Sequence, residues 1–132
     1  MNLKQALAAA REVKDCRERA QALIRLLPHI APPERKAVQR EVLAAVRECA
    51  QNAYRSAPAE IVVPLEAQPA FNHMWAWHGI IAPLPKDLLV TILGMVEEIE
   101  DEVEKSWALS AMKDMFSAKQ VKRAQRRLKK QQ

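Results

Sequence analysis

Seven cations stand within twelve residues of the stretch SAKQVKRAQRRLKKQQ: Lys119, Lys122, Arg123, Arg126, Arg127, Lys129 and Lys130. At helical spacing Lys119, Arg123, Arg126, Arg127 and Lys130 share one broad stripe. Such a stripe attracts phosphates, and the counterions released on contact supply affinity for RNA or DNA. The same stripe suits an acidic protein surface, and it is equally the pattern of a solvated helix. Val121 and Leu128 are the only sizeable apolar residues among the cations, so a membrane surface is not the expected partner.

A second cationic set is Arg11, Arg19, Arg47 and Arg55. Arg11 and Arg47 are separated by the same 36 positions as Arg19 and Arg55. If the segments that carry them stack, the four form a ridge that can face phosphates or carboxylates. The competing expectation is weak pairing with Glu12, Glu18 and Glu48.

The segment FNHMWAWHG places Trp75 and Trp77 two residues apart. On a helix they cannot share a side. One belongs in a core, and the other is available to a protein interface or to base stacking. His73 and His78 lie five apart and miss the i, i+4 spacing of a helical metal pair. EEIEDEVE, from Glu97 to Glu104, carries six acids in eight residues. Its carboxylates diverge around a helix, so a charged face that can meet a basic partner is expected, without a metal. Cys16 and Cys49 belong to no C-x-x-C or Cys/His cluster. There is no Gly-rich phosphate loop and no Ser–His–Asp spacing. These residues describe a binding protein, with no catalytic residue, cofactor, metal or small-molecule substrate expected.

Charge is blocked along the chain. Residues 1–56 carry 11 basic and 6 acidic groups, residues 57–118 carry 3 and 10, and residues 119–132 carry 7 and none. MNLKQALAAAREVKD is amphipathic and has no apolar signal core, and no run approaches a membrane span of about 18 residues. A cytoplasmic protein with reduced thiols is the expectation, with a Cys16–Cys49 disulfide as the other outcome.

The elements that position these residues are helices. Hydrophobic residues make up 49% of the chain, much of it Ala, and Gly occurs only twice, which favours helix over strand. ALAAAREVKDCRERAQAL (6–23), VLAAVRECAQNAYRSAPA (42–59) and ILGMVEEIEDEVEKSWAL (92–109) are diverged copies of one stretch. Their apolar columns, Leu7/Leu43/Leu93, Ala10/Val46/Val96 and Val13/Cys49/Ile99, step by three along one helix face. IAP occurs at 30–32 and 81–83, each followed by another proline, Pro33 or Pro85. Each triplet ends one helix, and the later proline suits the first turn of the next.

The unit is a helix, a proline turn and a helix, a length that fits helical-repeat architectures. RAQALIRLLPHIAPPERKAVQREVLAAVRE and APLPKDLLVTILGMVEEIEDEVEKSWALSAM resemble the HEAT-like or TPR-like α-solenoid repeats of bacteria, which are often appended to STAND-type signalling NTPases. The resemblance spans roughly residues 5–112 and implies an adaptor or sensor surface. No IAP turn precedes the first copy, as expected of a capping unit or of a piece of a longer solenoid.

An all-α fold is therefore expected in one of two arrangements. Stacked hairpins, a HEAT-like α-solenoid, would place helices near 2–13, 15–28, 33–50, 52–64, 70–79, 85–101, 102–116 and 117–130. A compact bundle would place long helices near 2–29, 33–57 and 86–116. Asp15 and Ser117 are the expected N-caps. Residues 1–116 form the repeat domain, interrupted by an irregular insertion at about 57–84 that includes the helix-breaking Pro58. Residues 117–132 form a basic C-terminal helix or tail. The stripe of Val103, Trp107, Ala111 and Met115 is expected in the core. The leading function is a non-catalytic scaffold that binds another protein, whether another chain or a larger assembly. The alternative is a small subunit of a nucleoprotein complex that grips phosphates through the tail and the Arg ridge.

Overall fold

Four helices begin on a short polar side chain that accepts a backbone N–H of the first turn. Asn2 accepts from the Gln5 N–H at 2.8 Å, and Gln5 returns the bond to the Asn2 N–H at 3.2 Å. Ser117 and Gln120 repeat this reciprocal box. Asp15 accepts from Arg17, and Asp101 accepts from both Val103 and Glu104. Each such cap contributes about 0.5–2 kcal/mol.

The computed structural model describes the backbone of residues 2–56 and 68–131 and the side chains of residues 2–52 and 72–130. The described residues form helices α1 (Leu3–Arg11), α2 (Cys16–Leu26), α3 (Pro32–Ser56), α4 (Gln68–Ile81), α5 (Leu89–Glu97), α6 (Glu102–Met115) and α7 (Ala118–Gln131). Single 3₁₀ turns at Leu27–His29 and Lys86–Leu88 lead into α3 and α5. Among the described residues there is no strand, and the fold is all-α. Pro58 lies outside the described residues.

Two of the three sequence copies share a backbone turn. α1 ends at Glu12 (φ −86°, ψ −6°) and α5 at Glu98 (φ −87°, ψ −3°). Three residues on, Asp15 (φ −70°, ψ 121°) and Asp101 (φ −74°, ψ 114°) cap the next helix. The middle copy has Gln51 where the others have Asp, and α3 runs unbroken through it. A hinge expected at 50–52 is therefore absent. Gln is a good helix former, whereas Asp competes for backbone N–H groups outside a helix. At α3 the two prolines occupy the first turn, and Ala31 O accepts from both Glu34 and Arg35.

Packing passes from neighbour to neighbour. α2 lies on α4 and α4 on α6, while α5 lies on α7. α1 packs on α2, α3 on α2 and α4, and α6 on α5 and α7. The even-numbered helices α2, α4 and α6 thus follow one another in one layer, while among the odd-numbered ones only α5 and α7 pack closely, an arrangement consistent with either a bundle or a solenoid. One apolar cluster runs through all seven helices, from Leu7 to Ala124. α4 occupies its middle and contributes Trp77, Ile80 and Ile81. From residue 68 onward, therefore, the expected insertion is a central helix. Gln21 of α2 donates to the Gly79 and Ile80 carbonyls at 3.3 and 3.2 Å, satisfying acceptors in the last turn of α4.

Two further expectations change, and one alternative is decided. Cys16 and Cys49 are joined as a disulfide, with their Cα atoms 5.8 Å apart, so they are not free thiols. Packing of α2 on α3 brings the first residue of α2 beside Cys49, within the ordinary Cα range for a bridge. Val103 is 55% exposed and leaves the core stripe, because it lies in the solvated first turn of α6. The basic segment is not a loose tail: Ala124 is buried in the common core, and Val121 and Leu128 are half-buried.

α7 packs on α5 with Leu128 lying over Gly94. A Cβ at Gly94 would stand 3.1 Å from Leu128 Cδ1. Gly94→Val is expected to push Leu128 outward and loosen α7. The readout is faster tryptic cleavage at Arg123, Arg126 and Arg127 than in the wild type, and an unchanged digest would contradict this packing.

Candidate docking groove and basic helix

The seven cations of α7 are sorted by its packing. The apolar edge of Val121, Ala124 and Leu128 is the docked side. Lys119, Lys122, Arg123, Arg126, Arg127, Lys129 and Lys130 are all exposed. No carboxylate occurs in α7, and none of the seven is in an ion pair among the described residues. The acidic corner between α5 and α6 thus leaves this basic face uncovered.

The Arg set behaves differently. Arg11 bonds Glu41 of α3 at 2.9 and 3.1 Å. Arg19 bonds Glu48 of α3 and also donates to the Val13 carbonyl at 2.9 Å. Arg47 forms a two-pronged bond with Glu104 of α6 at 2.8 and 2.9 Å. This bond is the main cause that holds the Arg47 pKa above its already high ordinary value. Three members of the ridge therefore fasten helices together. The side chain of Arg55 lies outside the described residues.

Trp75 and Trp77 separate as their spacing requires. Trp77 is 1% exposed and Trp75 is 45% exposed. Met74, Trp75, His78, Gly79 and Asp114 line a shallow apolar hollow between α4 and α6. His78 Nε2 lies 3.5 Å from Asp114 Oδ2. His73 packs on Trp107, with ring centroids 4.5 Å apart. Burial is the main cause that pushes its pKa below the usual 6.5, opposed in part by the Glu104 charge. The unfolded chain therefore binds a proton at His73 more readily than the folded one does. Stability from this site is complete above about pH 6.5 and declines as pH falls below it, until the folded group also protonates. His73→Gln is expected to remove that decline, as read from urea midpoints between pH 8 and 5. Equal pH profiles for the two proteins would refute it.

Sequence reasoning missed one feature, a groove between α3 and α5. α5 packs directly on α7, yet α3 and α5 stand apart. Two adjoining clefts of about 540 and 560 Å³ fill the space, sharing Gln39, Met95 and Glu98 as walls. The basic wall is the exposed face of α3: Lys36, Arg40 and, at the far end, Arg47. Glu98, Glu100 and Asp101 form the acidic wall opposite. Leu43, Met95 and Ile99 lie between them.

Leu43 identifies what is unusual about this place. Its equivalents in the other two copies, Leu7 and Leu93, are 7% and 0% exposed. Leu43 is only half-buried. The same column position that neighbouring helices cover twice is left partly open here. The i, i+4, i+7, i+11 series of Lys36, Arg40, Leu43 and Arg47 was readable as one helix face. Nothing in the sequence told which faces would lack a neighbour.

Among the described residues no three His, Cys, Asp or Glu side chains converge as metal ligands would. No described helix is long and apolar enough to cross a membrane. Comparison with known proteins finds no matching family model, no matching curated protein and no matching solved structure.

Proposed function

We propose that this chain is a non-catalytic helical adaptor that receives an amphipathic helix of another protein between α3 and α5. The observation that supports this reading is the half-open Leu43 in a groove with one basic and one acidic wall. Residues 35–47 of α3 extend about 18 Å at helical rise, the length of roughly three turns of a partner helix. A helix entering there would set an apolar side chain on Leu43, above the buried Met95 and Ile99. It would turn acids toward Lys36 and Arg40 and bases toward Glu98, Glu100 and Asp101. Charge on both walls fixes orientation and rejects reversed or like-charged partners more than it adds affinity. The resemblance to solenoid adaptors points the same way.

A photo-crosslinking residue placed at position 43 and used in the native host tests this reading. The expected product joins position 43 to an amphipathic segment of another protein. Labelling at 43 no greater than at the exposed control position Ala9 would sink it.

A second reading has its own observation, the seven exposed and unpaired cations of α7. A nucleic-acid strand laid along α7 would bind with steep salt dependence, weakening by orders of magnitude between 50 and 200 mM salt if most of the cations take part. Deletion of residues 117–132 would abolish that binding, while crosslinking at position 43 would survive the deletion.

A further inference from the structure

The half of the groove nearest α7 has a different character from the half that holds Leu43. Three cations from two layers of sequence, Arg35 at the start of α3 and Arg127 and Lys130 near the end of α7, line one cleft of about 540 Å³. That volume suits a small organic molecule. Arg35 is held in place, because its Nη2 donates to the Ile30 carbonyl at 3.1 Å. Its Nε is buried and has no hydrogen-bond partner among the described residues. A buried charged donor without an acceptor is uncommon in folded proteins and calls for an explanation. An oxyanion in the cleft supplies one: a guanidinium that exchanges the Ile30 carbonyl for the anion would present Nε and an Nη together, the two-pronged geometry of arginine with an oxyanion. Leu27, Val90 and Leu128 add apolar wall, and Gln39 and Thr91 add neutral hydrogen-bonding groups.

Asp87 and Glu98 also border this cleft. They sit just before and just after α5, and they disfavour a bare polyanion. Acceptors of this kind suit a ligand that carries hydrogen-bond donors away from its anionic end. We propose that the cleft binds a phosphate monoester with a hydroxyl- and amine-bearing body, the class to which nucleoside monophosphates belong. The phosphate meets Arg35, Arg127 and Lys130, while Asp87 and Glu98 accept from hydroxyl and amino groups of the body. The site is formed within one chain, and it shares Gln39, Met95 and Glu98 with the cleft at Leu43.

The test is calorimetric titration of the full chain with adenosine 5′-monophosphate, adenosine and inorganic phosphate. The expected result is saturable binding of the monophosphate, at least tenfold tighter than either fragment. Arg35→Gln is expected to weaken it tenfold or more. Because Arg35 is partly buried, the exposed double change Arg127→Gln with Lys130→Gln provides the second arm, with the same loss expected and no change in thermal midpoint. No binding of the monophosphate, equal binding of inorganic phosphate, or affinity unchanged in the double variant would each overturn the proposal.

Discussion

Trp77→Ala is expected to lower the unfolding free energy by about 3–5 kcal/mol, the usual loss for removing a fully buried large aromatic side chain. Trp77 is 1% exposed on α4, the helix that packs against α2, α3 and α6. The cavity would open among α2, α3 and α6, which can collapse into it only by breaking their own contacts. A domain of this size has a total stability of roughly 5–15 kcal/mol, so the variant would approach unfolding at room temperature. Urea denaturation followed by circular dichroism provides the measurement. Trp75→Ala is the control, since Trp75 is 45% exposed two residues away. Equal midpoints for the two variants would mean that α4 does not sit in the core as described.

Reduction of the Cys16–Cys49 bridge is expected to produce the second largest loss. The bridge closes a loop of sequence separation 33 between α2 and α3. Chain-entropy arguments assign a loop of that length about 3–4 kcal/mol. At a urea slope of about 1–3 kcal/mol per molar, the midpoint would fall by roughly 1–4 M. The paired variant Cys16→Ser with Cys49→Ser should fall by a similar amount and then ignore dithiothreitol. The Arg19–Glu48 pair joins the same two helices, yet exposed pairs of that kind contribute about 0–1 kcal/mol and cannot replace the bridge. A midpoint that does not move with dithiothreitol would show that the two sulfurs are not bonded in solution.

Much of the local structure was legible because it depends on residues close in sequence. Asp15 and Ser117 cap where their short side chains can reach the next N–H groups. Pro32 and Pro33 start α3 because a first-turn residue needs no N–H donor. The helix breaks expected near 13–15, 50–52 and 100–102 contain neither Gly nor Pro. Asp at 15 and 101 and Gln at 51 is the difference that two breaks and one unbroken helix reflect. Trp75 and Trp77 had to part, because a step of two residues turns a helix by about 200°, just over half a revolution. Which of them went inward was not readable, since it depends on where α3 and α6 lie.

From the sequence alone came an all-α fold, the repeat of one helix face, the proline-punctuated turns and the basic stripe of α7. Each follows from backbone sterics and periodicity within a few turns of chain. Tertiary structure alone decided that Arg11, Arg19 and Arg47 tie helices together, that Cys16 meets Cys49, that Val103 faces water and that Leu43 lies beside an open groove. Those outcomes depend on which surfaces from distant parts of the chain come to face one another, and a periodic pattern specifies a buried face without naming the neighbour that buries it.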